Sequence, residues 1–330
     1  MGTIRVGMVG AGWIAREHRR VLDSLTEAEL VAVCDVDAER AETLAAGTGA
    51  RTYLDWRELL DREDIGALIV CTPPGSHREP ATAALSNGLP VYLEKPIART
   101  LEDATEIVAA AGRTGTVCAV GYQWHALDLL EDLPGLLAGQ LVGLLVGTNI
   151  GPTQSRPWFV DMRAGGGNLL ERGSHHLDLA RAVAGEVVAV QAAASRVRLA
   201  RGAEEAGDID DALTIMLELA SGALATIVVA WTRPGQPGSY GLDIIASEAT
   251  LRLALDPDFT LSGVSRGLPV TRRAASHPFE RSVRRFLRAV AERDPAAVAC
   301  APTDAAATLA VATAAERALQ TSGAVKVGTI

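Results

Sequence analysis

Up to about Gly121 the chain alternates short apolar runs with stretches whose apolar positions recur at helical spacing. Strand-like runs fall at residues 4–9, 30–34, 51–53, 67–71, 91–93 and 117–120, and helical patterns at 14–25, 38–46, 56–60, 77–87 and 101–111. Strand and helix in strict turn predict βαβ units and a parallel sheet. Asn87-Gly88 and Gly112 mark expected helix ends, because glycine enters a left-handed cap without steric cost. Beyond Gly121 the pattern changes to longer β-rich segments, at 142–150, 187–197, 212–219, 223–231, 242–246 and 250–255. Ser221-Gly222 lies between two of them as a tight hairpin, so the second sheet is expected to be largely antiparallel. Further helices are predicted at 169–183, at 279–291 and at 304–319. In the second of these, Phe279, Val283, Phe286, Leu287 and Val290 form one apolar stripe.

Composition narrows the setting. With 330 residues, 48% apolar and 22% charged, the chain can bury two ordinary cores. A net charge of -9 without any basic run argues against nucleic acid and against an anionic membrane as partners, and for a small metabolite. Cys34, Cys71 and Cys118 lie in apolar segments, and no Cys-x-x-Cys spacing occurs, so the thiols are read as core residues. The strand-like start lacks the pattern of a secretory signal, and no apolar run has the length of a membrane span. A cytoplasmic protein is expected.

Gly10-Ala11-Gly12-Trp13-Ile14-Ala15 joins the first strand to the first helix in the form GxGxxA. One glycine allows the turn, the next allows close approach of a pyrophosphate, and the small Ala15 lets helix pack on strand. The helix N-terminus then offers N–H groups to phosphate. Asp35, ending the second strand, is placed to accept hydrogen bonds from ribose hydroxyls and would repel a 2′-phosphate. NAD is therefore favoured over NADP, and Arg40 is read as a solvated surface residue. The fold expected is an α/β Rossmann domain at 1–121 followed by an α+β domain at 122–330, the latter with a large, mostly antiparallel open sheet. The last helix is allowed to pack back on the first domain.

Thr72-Pro73-Pro74-Gly75-Ser76-His77 follows the fourth strand and Glu94-Lys95-Pro96 the fifth, at the edge where open parallel sheets bind ligands. Downstream stands Gly165-Gly166-Gly167-Asn168-Leu169-Leu170-Glu171-Arg172-Gly173-Ser174-His175-His176-Leu177-Asp178. A helix from Asn168 would carry Glu171, His175 and Asp178 on one face. His175 and His176 would point about 100° apart, so at most one of them is the base.

In this order, GxGxxA, TPxxxH, EKP and a GGG segment ending in HxxD resemble the Gfo/Idh/MocA family of NAD(P)-dependent oxidoreductases. The resemblance runs over nearly the whole chain and implies a cis Lys95–Pro96 bond, with Lys95 and His175 as the catalytic lysine and histidine. Glu171, where many members carry aspartate, would hold Lys95 or His175. Cofactor contacts are expected from Gly10, Gly12, Trp13, Ile14, Asp35, Thr72, Pro73, His77, Glu94 and Lys95. The implied reaction passes hydride between NAD and a hydroxyl or keto carbon of a sugar, inositol or related cyclic polyol. His175 would take the hydroxyl proton, and Lys95 would stabilise the alkoxide. Substrate contacts are expected from Arg156, Trp158, Asn168 and His176, the last with a structural role as its alternative. No metal is expected. An NAD-dependent glycosidase and a non-catalytic NAD-binding sensor of the same fold stand as alternatives. An uncovered sheet face in the second domain would make the protein a homodimer or homotetramer.

Overall fold

The computed structural model describes residues 2–152, 165–196, 210–233, 235–321 and 323–328. The first elements are β1 (Ile4–Val9), α1 (Trp13–Asp23), β2 (Ala28–Cys34), α2 (Ala38–Ala45), β3 (Arg51–Tyr53), α3 (Trp56–Arg62), β4 (Ala67–Val70), α4 (Arg78–Ser86), β5 (Val91–Leu93), α5 (Leu101–Thr114) and β6 (Cys118–Val120). Their six strands pair in the order β3-β2-β1-β4-β5-β6, all parallel. Helices cover both faces of such a sheet, which is why β4, β5 and β6 are buried at every position and read as continuous apolar runs.

There follow α6 (Leu129–Leu136), β7 (Val142–Pro152), α7 (Ser174–Ala184), β8 (Val187–Ser195), β9 (Ala212–Leu219), β10 (Leu224–Thr232), β11 (Ser239–Ala246), β12 (Ala249–Ala254), β13 (Thr260–Ser265), β14 (Leu268–Arg273), α8 (Pro278–Glu292), α9 (Pro302–Thr321) and β15 (Val325–Lys326). Nine strands form a second sheet in the order β14-β13-β12-β11-β7-β10-β9-β8-β15. Its pairs are antiparallel except β10 with β7, so the expected α/β plus α+β fold class is the one found.

The chain divides into two compact units, Met1–Ala126 with Phe279–Ala306, and Leu127–Pro278 with Ala307–Ile330. In the first, Phe279, Val283, Phe286 and Leu287 of α8 are buried in one core with Val6, Met8, Ile69 and Tyr92. The Phe286 ring meets Tyr92 edge-on at 5.5 Å. Burying each large apolar side chain contributes about 1.5–3 kcal/mol, which explains why the α8 stripe returns to the parallel sheet after the excursion through the second unit. In the second unit the nine-stranded sheet has two unlike faces. Leu145, Leu213, Ile215, Leu217, Ile227, Val229, Trp231 and Ile244 are buried on one. Leu144 and Leu224 are exposed on the other, where Val146, Ile150, Met216 and Val228 are half-buried.

Several local features differ from the pattern reading. Helix α5 runs through Gly112 and stops at Gly115, which has φ of 63°. α6, β13 and β14 were not anticipated. Gly263 and Pro269 weaken the strand pattern of the latter two, and proline is tolerated there because β14 is an edge strand. The segment Leu169–Gly173 is a π-helical turn ahead of α7, not the start of a regular α-helix. Strand β15 closes the far edge of the sheet against β8.

Candidate active site

The dinucleotide turn is built by close backbone contact. Gly10 has φ of 94°, and a Cβ there would lie 2.7 Å from the Cys71 carbonyl group, so only glycine lets β1 pass β4 at this point. Gly12 has nothing within 4 Å of its missing Cβ, leaving room in front of the helix. Ala15 is fully buried, letting α1 pack on the sheet. Side chains cap α2, α3 and α5, whereas α1 has neither a capping side chain nor an acid in its first turn. Its leading N–H groups suit an anion. Asp35 accepts from Ala11 N at 2.7 Å through one oxygen and from Asp37 N at 2.9 Å through the other. Each oxygen keeps a second lone pair for a ribose hydroxyl. Thr72 Oγ1, at the end of β4, is buried without a hydrogen-bond partner, an unsatisfied group that a bound ligand would complete. These residues fit a dinucleotide. Trp13 is exposed at the start of α1, Ile14 and Pro73 are half-buried, and Arg40 pairs with Asp37 at the surface.

The turn after β5 is tied more tightly than the sequence suggests. Glu94 is buried; one oxygen lies 2.8 Å from His18 Nε2, and the other accepts Lys95 N–H at 3.2 Å. Lys95–Pro96 is cis, as the resemblance implied. His77 is fully buried, with Nδ1 3.1 Å from the Pro96 carbonyl and Nε2 2.8 Å from that of Thr72. Burial lowers the His77 pKa, opposed by the surrounding carbonyls and by Glu94. Both Glu94 and His77 thus hold backbone. Burial also pushes the Cys34 and Cys118 thiols up to about 12, and all four cysteines are buried, as core thiols should be.

In the second unit His175 is half-buried in the first turn of α7, and Glu171 is half-buried in the π turn before it. A π turn changes the angular step along the helix and often accompanies functional side chains. Arg172 donates to the carbonyls of Gly151 at 3.0 Å, Ala230 at 3.1 Å and Pro152 at 3.2 Å. It thereby satisfies the ends of the parallel β7–β10 pair, and burial lowers its pKa. Asn168 is buried and donates to the Asp211 carbonyl at 3.2 Å. His176 is fully buried, Nε2 donating to the Gly241 carbonyl at 3.2 Å, which supports the structural of its two expected roles. Asp178 is also buried, accepting from Thr308 Oγ1 at 2.9 Å, which in turn accepts from Arg181 at 2.7 Å. Arg156 and Trp158 lie outside the described residues.

Pattern reading missed His18, although a histidine among Ala15, Val21 and Leu22 on the inward stripe of α1 was the available signal. It also missed a compositional one: of 31 lysine and arginine residues, only Lys95 and Lys326 are lysine. A chain that uses arginine almost everywhere has a compact ammonium at the turn after β5.

The family profile described as an oxidoreductase family with an NAD-binding Rossmann fold, Gfo/Idh/MocA, matches residues 4–122, and the C-terminal domain profile of the same family matches 144–252. The chain belongs to the Gfo/Idh/MocA oxidoreductase family. This member is 40% identical to inositol 2-dehydrogenase 3 of Saccharopolyspora erythraea over 114 residues, 34% of each chain. It is 28% identical to the scyllo-inositol 2-dehydrogenase (NAD(+)) of Bacillus subtilis over 246 residues, 74% of this chain and 70% of the relative. In fold it is similar to an oxidoreductase domain protein from Kribbella flavida, with a TM-score of 0.88 at 22% identity, covering 99% of this chain and 100% of the other. A levoglucosan dehydrogenase in complex with NADH gives a TM-score of 0.85 at 21% identity, with 99% and 100% covered. Among the described residues, no helix of this Gfo/Idh/MocA member is long and apolar enough to cross a membrane.

Two measurements test this geometry. NAD should bind more tightly than NADP, and Asp35→Ser should weaken NAD by roughly tenfold while narrowing or reversing the preference, since it removes both the acceptor and the anchor of Ala11. Equal affinities in the unaltered protein, by fluorescence titration, would contradict the role given to Asp35. His176 concerns stability. Burial draws its pKa down to about 4, against the opposing carbonyls of Gly241 and Thr148. The unfolded chain therefore binds the extra proton first, and the folded state loses about 3 kcal/mol as pH falls from about 6.5 to 4. In His176→Asn the slope of melting temperature against pH over that window should be shallower; an unchanged slope assigns the effect elsewhere.

Proposed function

We propose that the protein is an NAD-dependent dehydrogenase that acts on a CH–OH group of a sugar, an inositol or a related cyclic polyol. The observation that carries this reading is Lys95, one of two lysines in the chain, held by its backbone at the carboxyl end of β5 on the sheet edge that bears the Gly10–Ala15 turn. When bound, NAD supplies the hydride acceptor. The chain supplies proton handling and charge. A hydroxyl carbon releases hydride only as its O–H proton leaves, and His175 is the acceptor assigned here, since histidine ordinarily titrates near neutrality. The Lys95 ammonium stabilises the developing alkoxide, and Glu171, one turn before His175, orients the imidazole. Gly10, Gly12, Trp13, Ile14, Asp35, Thr72 and Pro73 are assigned to the cofactor. Glu94 and His77 act through the backbone they hold.

Residues 1–121 bind the dinucleotide in this reading, and residues 122–330 bind substrate and form the subunit contact, with 279–306 completing the first core. Relatives named as inositol and sugar dehydrogenases support a dehydrogenase over a glycosidase or a sensor. Cys34, Cys71 and Cys118, buried and outside any disulfide, suit the cytoplasm. The open face of the nine-stranded sheet, with Leu144, Val146, Ile150, Met216, Leu224 and Val228, suits a second copy of the same chain.

A panel of sugars, inositols and their keto forms with NAD and NADP, followed by absorbance of the reduced cofactor, tests the activity. Lys95→Ala and His175→Ala should each lower turnover by about two to four orders of magnitude and leave NAD affinity within a few-fold. An inactive His176→Ala beside a near-normal His175→Ala would invert the assignment. For assembly, light scattering should show a homodimer or homotetramer, with Val228→Lys shifting it toward monomer; a monomer across micromolar concentrations in the unaltered protein rules the contact out.

A further inference from the structure

The Lys95 turn is held from two sides by buried histidines on different helices. His18 is fully buried on the inward face of α1, among the rings of Tyr92 at 5.0 Å and Phe279 at 4.7 Å. A carboxylate only accepts, so the 2.8 Å contact requires the proton on His18 Nε2, donated to Glu94 Oε1. Through its second oxygen the same carboxylate takes the Lys95 N–H. Space for Glu94 is kept by Gly121, where a Cβ would lie 3.0 Å from Oε2. Past Lys95, the carbonyls of Pro96 and Ile97 meet His77 Nδ1 at 3.1 Å and 3.3 Å.

Stability does not call for this arrangement. Apolar side chains of similar volume in place of a buried polar or ionic pair are often neutral or stabilising, while the pair carries the cost of desolvation. What the pair does is connect α1, whose first turn is assigned here to the dinucleotide phosphates, to the backbone of Lys95. We propose that His18 and Glu94 are positioning residues that couple the dinucleotide-facing helix to the Lys95 turn and so fix the aim of the Lys95 ammonium. This rests on the reading of Lys95 as a catalytic residue.

The two lysines make the test clean, because Lys326 serves as internal reference when Lys95 is acylated and followed by mass spectrometry. His18→Phe/Glu94→Leu removes the pair without leaving a buried charge. It should keep its melting temperature within a few degrees and its NADH affinity within threefold, yet lose about 10–100-fold in kcat. The Lys95 to Lys326 acylation ratio should change by at least threefold. His18→Gln, which returns an N–H donor to Glu94, should recover kcat to within about fivefold of the unaltered enzyme. On a Lys95→Ala background, the apolar replacement should lower kcat by less than a further twofold. Losses that multiply, or an unchanged acylation ratio with lowered kcat, overturn the coupling. If instead Lys95→Ala keeps near-normal turnover, the catalytic reading of Lys95 fails, and the acylation ratio alone then decides whether the pair positions it.

Discussion

Parallel pairing is the constraint from which the first unit follows. Six strands that all run one way must each return through a crossover, so the turns after β1, β2, β4 and β5 leave from a single edge of the sheet. The Gly10 turn, Asp35, Thr72 and Lys95 thereby share that edge, although 85 positions separate the first from the last. No side chain has to recruit them. The only local demand is that β1 and β4 approach closely at the switch in strand order, which Gly10 permits by having no Cβ to meet the Cys71 carbonyl group.

Once the turns share an edge, buried polar groups fix their shape. Glu94, His18 and His77 lie inside an otherwise apolar core, and each makes at least one hydrogen bond to another turn or helix. Arg172 does comparable work in the second unit, where it answers three carbonyls at the end of a parallel strand pair. In both cases backbone at a strand end is held by a buried or half-buried side chain whose desolvation is offset by the hydrogen bonds it makes there. Such residues contribute little net stability and much geometry, which suits turns that carry chemistry.

How much of this was legible depends on the reach of each signal. GxGxxA and Asp35 could be read because a glycine turn and a strand-end acid are local signals, EKP gained its meaning through the family resemblance, and the α8 stripe showed its apolar face by spacing alone. The weak strands β13 and β14 were hidden by Gly263 and Pro269, whose breaker signals outweigh a pairing made only in the assembled sheet. Helix α5 passed through Gly112 because the packing of its inward face outweighed one residue's propensity. The π turn at Leu169–Gly173 follows no residue pattern that spacing could detect.

The sequence by itself pointed to a parallel and a mostly antiparallel sheet, the dinucleotide turn and the family, and it offered Lys95 and His175 as candidates for the chemistry, because the signals involved are short local patterns that recur in a fixed order along the chain. Only the tertiary structure decided that His18 meets Glu94 across 76 positions, that His77 and Glu94 hold backbone, and that His176 and Asp178 are buried. A buried polar group is defined by the partner that satisfies it, and that partner is chosen when distant segments pack, which no local pattern of apolar and polar positions can record.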